Sequence, residues 1–221
     1  MKKTRIGLFG GTFNPIHRGH LKAASEVLDQ FSLDRVLFIP SYIPPHKESS
    51  EMAPPHDRLK MVELATAPFP EFLASTIESD AEDKSYSIIT LEKVKKIYKE
   101  AWIFFILGID AFLEIDTWKE YEKVLEQCLF IVISRPGYCL DEAREMLGGK
   151  YKLRIHSIKE DEEIDENTLM SSKIFLLPIK ALDVSSKDIR KKLRERRSIA
   201  RLVPKAVASY IRENGLYQEG R

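Results

Sequence analysis

At 221 residues the chain has the length of one large domain, or of a domain with a small appendage, and can bury a full core without covalent staples. Hydrophobic residues at 43% and charged residues at 31% exclude a disordered, fibrous or membrane-embedded class. Thirty-five lysines and arginines against 34 acids leave a formal charge of +1, which supplies no overall basic field and argues against binding a long nucleic acid.

Cys128 and Cys139 form neither a C-x-x-C pair nor a Cys/His cluster with zinc spacing, so no disulfide framework is expected and a reducing, cytoplasmic setting is. Met1-Lys2-Lys3 and the apolar stretch from Ile6 to Phe13 faintly resemble a secretory signal, but Gly10, Gly11, Asn14 and Pro15 interrupt it. Nowhere do about 18 apolar residues run together, so no membrane span is expected.

Short apolar runs punctuate the chain: Ile6 to Phe9, Val36 to Ile39, Ile103 to Leu107, Leu129 to Ile133 and Ile174 to Leu177. They read as strands buried on both faces. Helical spacing falls between them, over Leu21 to Phe31, at Leu59, Val62 and Ala65, at Ile88, Leu91 and Val94, and at Tyr121, Val124 and Leu125. This alternation predicts an α/β fold, a doubly wound parallel sheet, with ligands beyond the carboxyl ends of its strands.

Three segments stand apart. Residues 40–56, with Pro40, Pro44, Pro45, Pro54 and Pro55, read as a stiff loop of functional length. Residues 159–166 carry six acids and one base and read as a solvated surface insertion without chemistry. Residues 187–201 hold eight bases and two acids, after Ser185-Ser186 as helix caps and along an Ile189/Leu193 stripe. A last helix opens at Pro204 and stops near Gly215.

The densest chemical signal is Gly10-Gly11-Thr12-Phe13-Asn14-Pro15-Ile16-His17-Arg18-Gly19-His20, between the first strand and the first helix. The glycines permit a tight strand exit and close approach of backbone amides to a phosphate. His17 and His20, three apart at a helix start, lie on one side beside N–H groups that favour anions. Their task would be to stabilise the charge that builds on a pentacoordinate phosphorus. Zinc ligation by this pair lacks a third ligand nearby, since His46, His56 and His156 have no partner spacing. Neither the Walker pattern nor G-x-G-x-x-G is present.

At this string the chain resembles the nucleotidyltransferase superfamily with its H-x-G-H signature, and most closely the bacterial nicotinate-mononucleotide adenylyltransferases. Further matches follow in the family's order: Pro44-Pro45-His46-Lys47, Ser85-Tyr86-Ser87, Gly108-Ile109-Asp110 with Trp118, Ser134-Arg135-Pro136-Gly137, Val184 to Arg190, and Tyr210-Ile211 with Leu216-Tyr217. The resemblance implies a Rossmann-like sheet over residues 1–183 and a small helical carboxyl-terminal subdomain, 184–221, that completes the ATP site. It implies conversion of ATP and nicotinate mononucleotide to deamido-NAD and pyrophosphate, with Mg2+ carried mainly by the triphosphate and no protein metal cage.

Residue by residue, the resemblance makes His17, His20 and Arg190 catalytic and sets Gly10, Gly11, Thr12 and Phe13 around ATP. It adds Gly108 and Asp110 from the exit of the third apolar run, and Ser185, Ser186 and Ile189 from the later helix start. Lys47 would meet the mononucleotide phosphate, the amides at Tyr86 and Ser87 the nicotinate carboxylate, and Trp118 the pyridine ring, with Arg135 on the same side. For Trp118 core packing is the competing reading; for Asp110 and Ser85-Tyr86-Ser87 it is a helix cap. Ser87 and Lys187 stand where the family usually has threonine, and Asn14 where it often has an acid.

Three alternatives remain open at this point. A phosphopantetheine or cytidylyl-type transferase shares the histidine motif but binds another acceptor. A non-catalytic nucleotide-binding module would be expected to have lost His17, His20 or Arg190. The basic 187–201 segment could bind RNA, although it lacks interleaved aromatics. Oligomeric state is not readable from these residues.

Overall fold

The structure is a computed structural model that describes residues 3–43, 52–79, 85–146, 149–160, 162–180 and 182–218. The five apolar runs form strands β1 (Arg5–Gly11), β2 (Arg35–Pro40), β4 (Trp102–Gly108), β5 (Leu129–Ile133) and β7 (Ile174–Leu177). Two short strands, β3 (Phe72–Ala74) and β6 (Ile155–Ser157), were not visible as apolar runs. Both lie at the sheet edges, where one flank meets solvent and a two-faced apolar run is not needed. The order is β3-β2-β1-β4-β5-β7-β6, and every pairing is parallel.

Successive residues of each central strand enter opposite layers, which is why the runs are apolar throughout rather than alternating. Phe104 and Ile106 of β4 pack with Val27, Phe31, Met61 and Val207 on one face. Phe105 and Leu107 pack with Leu91, Phe112, Val124 and Leu125 on the other. The first layer contains α1 (Arg18–Gln30), α2 (Pro55–Thr66), α7 (Glu166–Ser171), α8 (Ser186–Arg194) and α9 (Lys205–Glu213); the second contains α3 (Ser87–Ile97), α4 (Ile109–Phe112), α5 (Tyr121–Gln127) and α6 (Glu142–Met146). Ile189, Val203, Val207 and Ile211 bring the 184–221 segment into the same apolar cluster as β1 and α1.

Two expectations change. The 40–56 loop is shorter, because Pro40 ends β2 and Pro55 opens α2, where proline's missing N–H costs no hydrogen bond; its Pro44-Pro45-His46-Lys47 motif lies outside the described residues. The acidic 159–166 stretch is anchored rather than simply solvated. Ile164 is buried, its carbonyl accepts from Arg5 Nη1, Glu162 accepts from the Lys159 amide at 2.9 Å, and Asp165 caps α7. His156 also has a partner, Glu162 Oε1 at 2.7 Å.

At the amino ends of the strands lysines gather around the end of α5. Lys173 Nζ donates to the Glu126 carbonyl at 2.8 Å and Lys95 Nζ to that of Gln127 at 3.4 Å. They complement the carbonyl end of α5, which accounts for this basic cluster structurally.

Candidate active site

Strand order reverses between β1 and β4, so the helices that follow them diverge and leave a crevice beyond Gly11 and Gly108. A cleft of about 1510 Å3 occupies that position. Its volume exceeds the roughly 300–1,000 Å3 of a site for one small ligand, so two nucleotide-sized molecules fit. Gly10, Gly11, Thr12, Phe13, His17 and His20 line one wall. Gly108, Asp110, Trp118 and Arg135 line the side reached from β4 and β5, with Tyr86, Ser87, Ser185, Ser186 and Arg190 also on the surface of the cleft.

The two histidines build the start of α1 between them. His17 is the N-cap; the His20 amide donates to His17 Nδ1 at 3.3 Å and the His17 amide donates back to His20 Nδ1 at 3.2 Å. This is a capping box made of imidazoles. Because each Nδ1 accepts a hydrogen bond, each ring carries its proton on Nε2. The rings stack with centroids 3.6 Å apart at 18°. Phe13, buried and held at φ 47, meets the His20 ring edge-on at 5.1 Å, so it braces the histidine from the apolar side.

Burial pushes the His17 imidazole down to about 4, and the charge of Arg135 acts in the same direction. His17 is therefore neutral at pH 7 and acts as an Nε2–H donor. The sign for stability follows. Between pH 6.5 and about 4 the unfolded chain protonates this histidine and the folded chain does not, so folding stability falls with falling pH across that window, by roughly 3 kcal/mol at its lower end. His17→Asn, which keeps a capping acceptor but does not titrate, should lose less stability than the parent when urea midpoints are compared at pH 7.5 and 4.5. Equal losses would assign the acid sensitivity to other groups.

On the β4 side, Asp110 forms an ion pair with Arg135 Nη1 across the exits of β4 and β5. A Cβ at Gly108 would sit 2.5 Å from Asp110 Oδ1, so the glycine is what lets the aspartate fold back over the strand end. Asp110 makes no side-chain cap to α4; the cap reading gives way to the ion pair. Trp118 is half-buried, packs edge-on against Phe105 at 5.6 Å and also lines the cleft. One side chain therefore both packs on the core and borders the cleft.

Tyr86 is the N-cap residue of α3, and no side chain caps that helix. Ser85 is turned away from it: its Oγ accepts from the Tyr42 amide at 3.0 Å. The plain-cap reading of Ser85-Tyr86-Ser87 is thus replaced by a helix start that no side chain caps and whose residues line the cleft, with Lys119 Nζ 4.6 Å over the Tyr86 ring.

At the start of α8, Ser185 caps the helix, with its Oγ accepting from the Asp188 amide at 3.1 Å. Ser186 Oγ donates to the Pro15 carbonyl at 2.8 Å and Arg190 Nη1 to the Asn14 carbonyl at 2.9 Å. Ile189 is fully buried and anchors the helix in the core rather than lining the cleft. Lys47 lies outside the described residues.

Sequence reasoning missed Arg58. The residue is 1% exposed and its guanidinium donates to the carbonyls of Ala53, Thr12, Ser41 and Tyr42 at 2.7–3.0 Å, tying the exits of β1 and β2 together. Glu78, buried beside the cleft and bonded by the Thr90 hydroxyl, was missed as well. An isolated arginine or glutamate in a polar stretch carries no periodic signal of burial.

Among the described residues no group of three or more His, Cys, Asp or Glu is placed to hold a metal ion, and no helix is long and apolar enough to cross a membrane.

The fold, with a large cleft at the switch point of its sheet beside a histidine-bearing loop, is that of a nucleotide-handling α/β protein. Residues 8–192 match the Cytidylyltransferase-like family. A probable nicotinate-nucleotide adenylyltransferase of Desulfatibacillum aliphaticivorans is 42% identical over 218 residues, covering 96% of this chain and 99% of that one. One of Geotalea daltonii is 39% identical, covering 98% and 100%. The chain belongs to the Cytidylyltransferase-like family, in the group of the nicotinate-nucleotide adenylyltransferases. A solved structure of Plasmodium falciparum nicotinic acid mononucleotide adenylyltransferase complexed with NaAD shares the fold, with a TM-score of 0.71 at 21% identity over 97% of both chains.

Proposed function

We propose that this protein transfers the adenylyl group of ATP to nicotinate mononucleotide, giving deamido-NAD and pyrophosphate. The observation that carries the reading is the pair of Nε2–H imidazoles, fixed by a reciprocal backbone cap in a cleft with room for two nucleotides. A mononucleotide phosphate oxygen forms a bond to the α-phosphorus of ATP while the bond to the β-phosphate oxygen breaks and leaves with pyrophosphate. The attacking oxygen is already anionic, so the protein needs no nucleophile and no general base. Its work is alignment and charge stabilisation. His17 and His20 donate to the α-phosphoryl oxygens as charge builds on them.

Gly10, Gly11, Thr12, Gly108 and Asp110 surround the adenosine, and Ser185, Ser186 and Arg190 in the 184–221 subdomain meet the departing phosphates. Phe13 and Ile189 support those contacts from the core. The amides at Tyr86 and Ser87 receive the nicotinate carboxylate, Trp118 stacks on the pyridine ring, and Lys47 and Arg135 supply cationic charge to the mononucleotide. Mg2+ enters as part of the ATP substrate, held mainly by triphosphate oxygens and water. We place the reaction in the cytoplasm, the reducing setting in keeping with the free Cys128 and Cys139.

Pyrophosphate release with ATP or CTP and a panel of nicotinate mononucleotide, nicotinamide mononucleotide and phosphopantetheine tests the proposal. Turnover is expected with ATP and nicotinate mononucleotide; selective turnover of phosphopantetheine, or of CTP, would overturn it. Trp118→Ala should raise KM for the pyridine mononucleotide about tenfold or more, as expected for loss of a stacking surface, with a smaller change for ATP. Equal changes would return the tryptophan to a purely structural role.

A further inference from the structure

The carboxyl-terminal Leu216-Tyr217 pair stood out in the sequence, yet nothing in the reaction above uses it. Tyr217 follows α9 in a left-handed conformation, φ 63, which a non-glycine residue keeps only where its surroundings hold it. Its hydroxyl donates to Asn14 Oδ1 at 2.7 Å, 203 residues away in sequence. The same Oδ1 accepts from the Ala53 amide at 3.0 Å, and the Asn14 carbonyl accepts from Arg190 at 2.9 Å. Position 14 is thus a joint at which the histidine loop, the segment before α2, the α8 arginine and the chain's end meet. Tyr210 Oη, one α9 turn before the helix ends, donates to Asp57 Oδ1 at 2.7 Å and fixes the helix against α2.

We infer that Tyr217 is a positioning residue for adenylyl transfer, acting through Asn14 to hold the loop that carries His17 and His20. The inference rests on the function proposed above. Asn14 lies three residues before the N-cap histidine, so a slack loop there displaces the Nε2–H donors. Displacement of this kind lowers the rate of the chemical step more than it weakens substrate binding. The acceptor on Asn14 is an oxygen that aspartate would also present. Position 14 therefore serves as an acceptor hub whether it is amide or acid, and its departure from the family's frequent acid costs the joint nothing.

Tyr217→Phe removes one hydroxyl and keeps the packing. It should lower kcat about tenfold through the displaced donors, with KM for ATP and for the mononucleotide within about twofold and the melting temperature lowered by only about 2–4 °C, the stability worth of one hydrogen bond. Asn14→Ala should lower kcat at least as much, and the double variant should be no worse than Asn14→Ala alone, because both break the same link. Asn14→Asp should keep near-parental kcat. Parental kcat in Tyr217→Phe, or multiplicative losses in the double variant, would overturn the inference. An NMR titration of His17 reads the positioning without turnover: in Tyr217→Phe its pKa should rise toward 6.5 from about 4 as water reaches the loosened ring. If the parent protein adenylylates none of the acceptors, the function falls, and an unmoved His17 titration separately sinks the positioning role.

Discussion

Replacing His20 by alanine is expected to lower kcat by about two to three orders of magnitude, the loss found when one preorganised donor to a developing oxyanion is removed. The geometry says why the effect exceeds one hydrogen bond. His20 Nδ1 accepts from the His17 amide and its ring stacks on His17 at 3.6 Å. Alanine therefore removes one Nε2–H donor and unlocks the orientation of the other. The structural cost is smaller. The cap bond that returns from His17 Nδ1 to the residue-20 amide survives, so the helix loses about 1 kcal/mol. Steady-state kinetics together with a urea titration separates the two: kcat collapses while the midpoint moves slightly. A near-parental kcat would remove His20 from the catalytic machinery, and a collapse of the midpoint in parallel with kcat would make its role structural.

The central sheet was legible because β1, β2, β4, β5 and β7 are buried on both faces, and continuous apolar runs are what two-sided burial demands. β3 and β6 were not, since three-residue edge strands such as Ile155–Ser157 need no such run. The histidine loop was legible because its residue types are chemically unusual together. The supports of that loop were not. Arg58, Ala53 and Tyr217 reach it from 39 to 203 residues away, and a single polar group satisfied by a distant partner leaves no local pattern. The described charged residues of 159–166 are exposed but for half-buried Glu162, as a charge run suggests; what the charge count conceals is the buried Ile164 and the cap at Asp165. The Asp110–Arg135 pair joins two motifs that the sequence assigned to different substrates. Only the neighbouring exits of β4 and β5 bring them together.

Gly19→Ala should be almost as damaging to kcat as loss of a histidine, and for a steric reason. On helix propensity alone alanine is better than glycine by about 1 kcal/mol, so a helix that needed only stability would carry it at position 19 of α1. A Cβ there would lie 2.9 Å from Val184 Cγ1 and 3.0 Å from His17 Nδ1. One contact drives into the capping imidazole, whose Nδ1 receives the residue-20 amide; the other drives into the segment that delivers Ser185 and Ser186 to the histidine loop. Neither neighbour is the free end of a long side chain, so the ring or the loop must move. A displacement of about 1 Å at reacting groups costs on the order of a hundredfold, and that is the expected fall in kcat. Adding Val184→Ala relieves one of the two clashes. It should recover part of the lost melting temperature yet leave kcat depressed, because the His17 contact remains. Full recovery of kcat in the double variant would shift the cause from the histidine to the packing of α8.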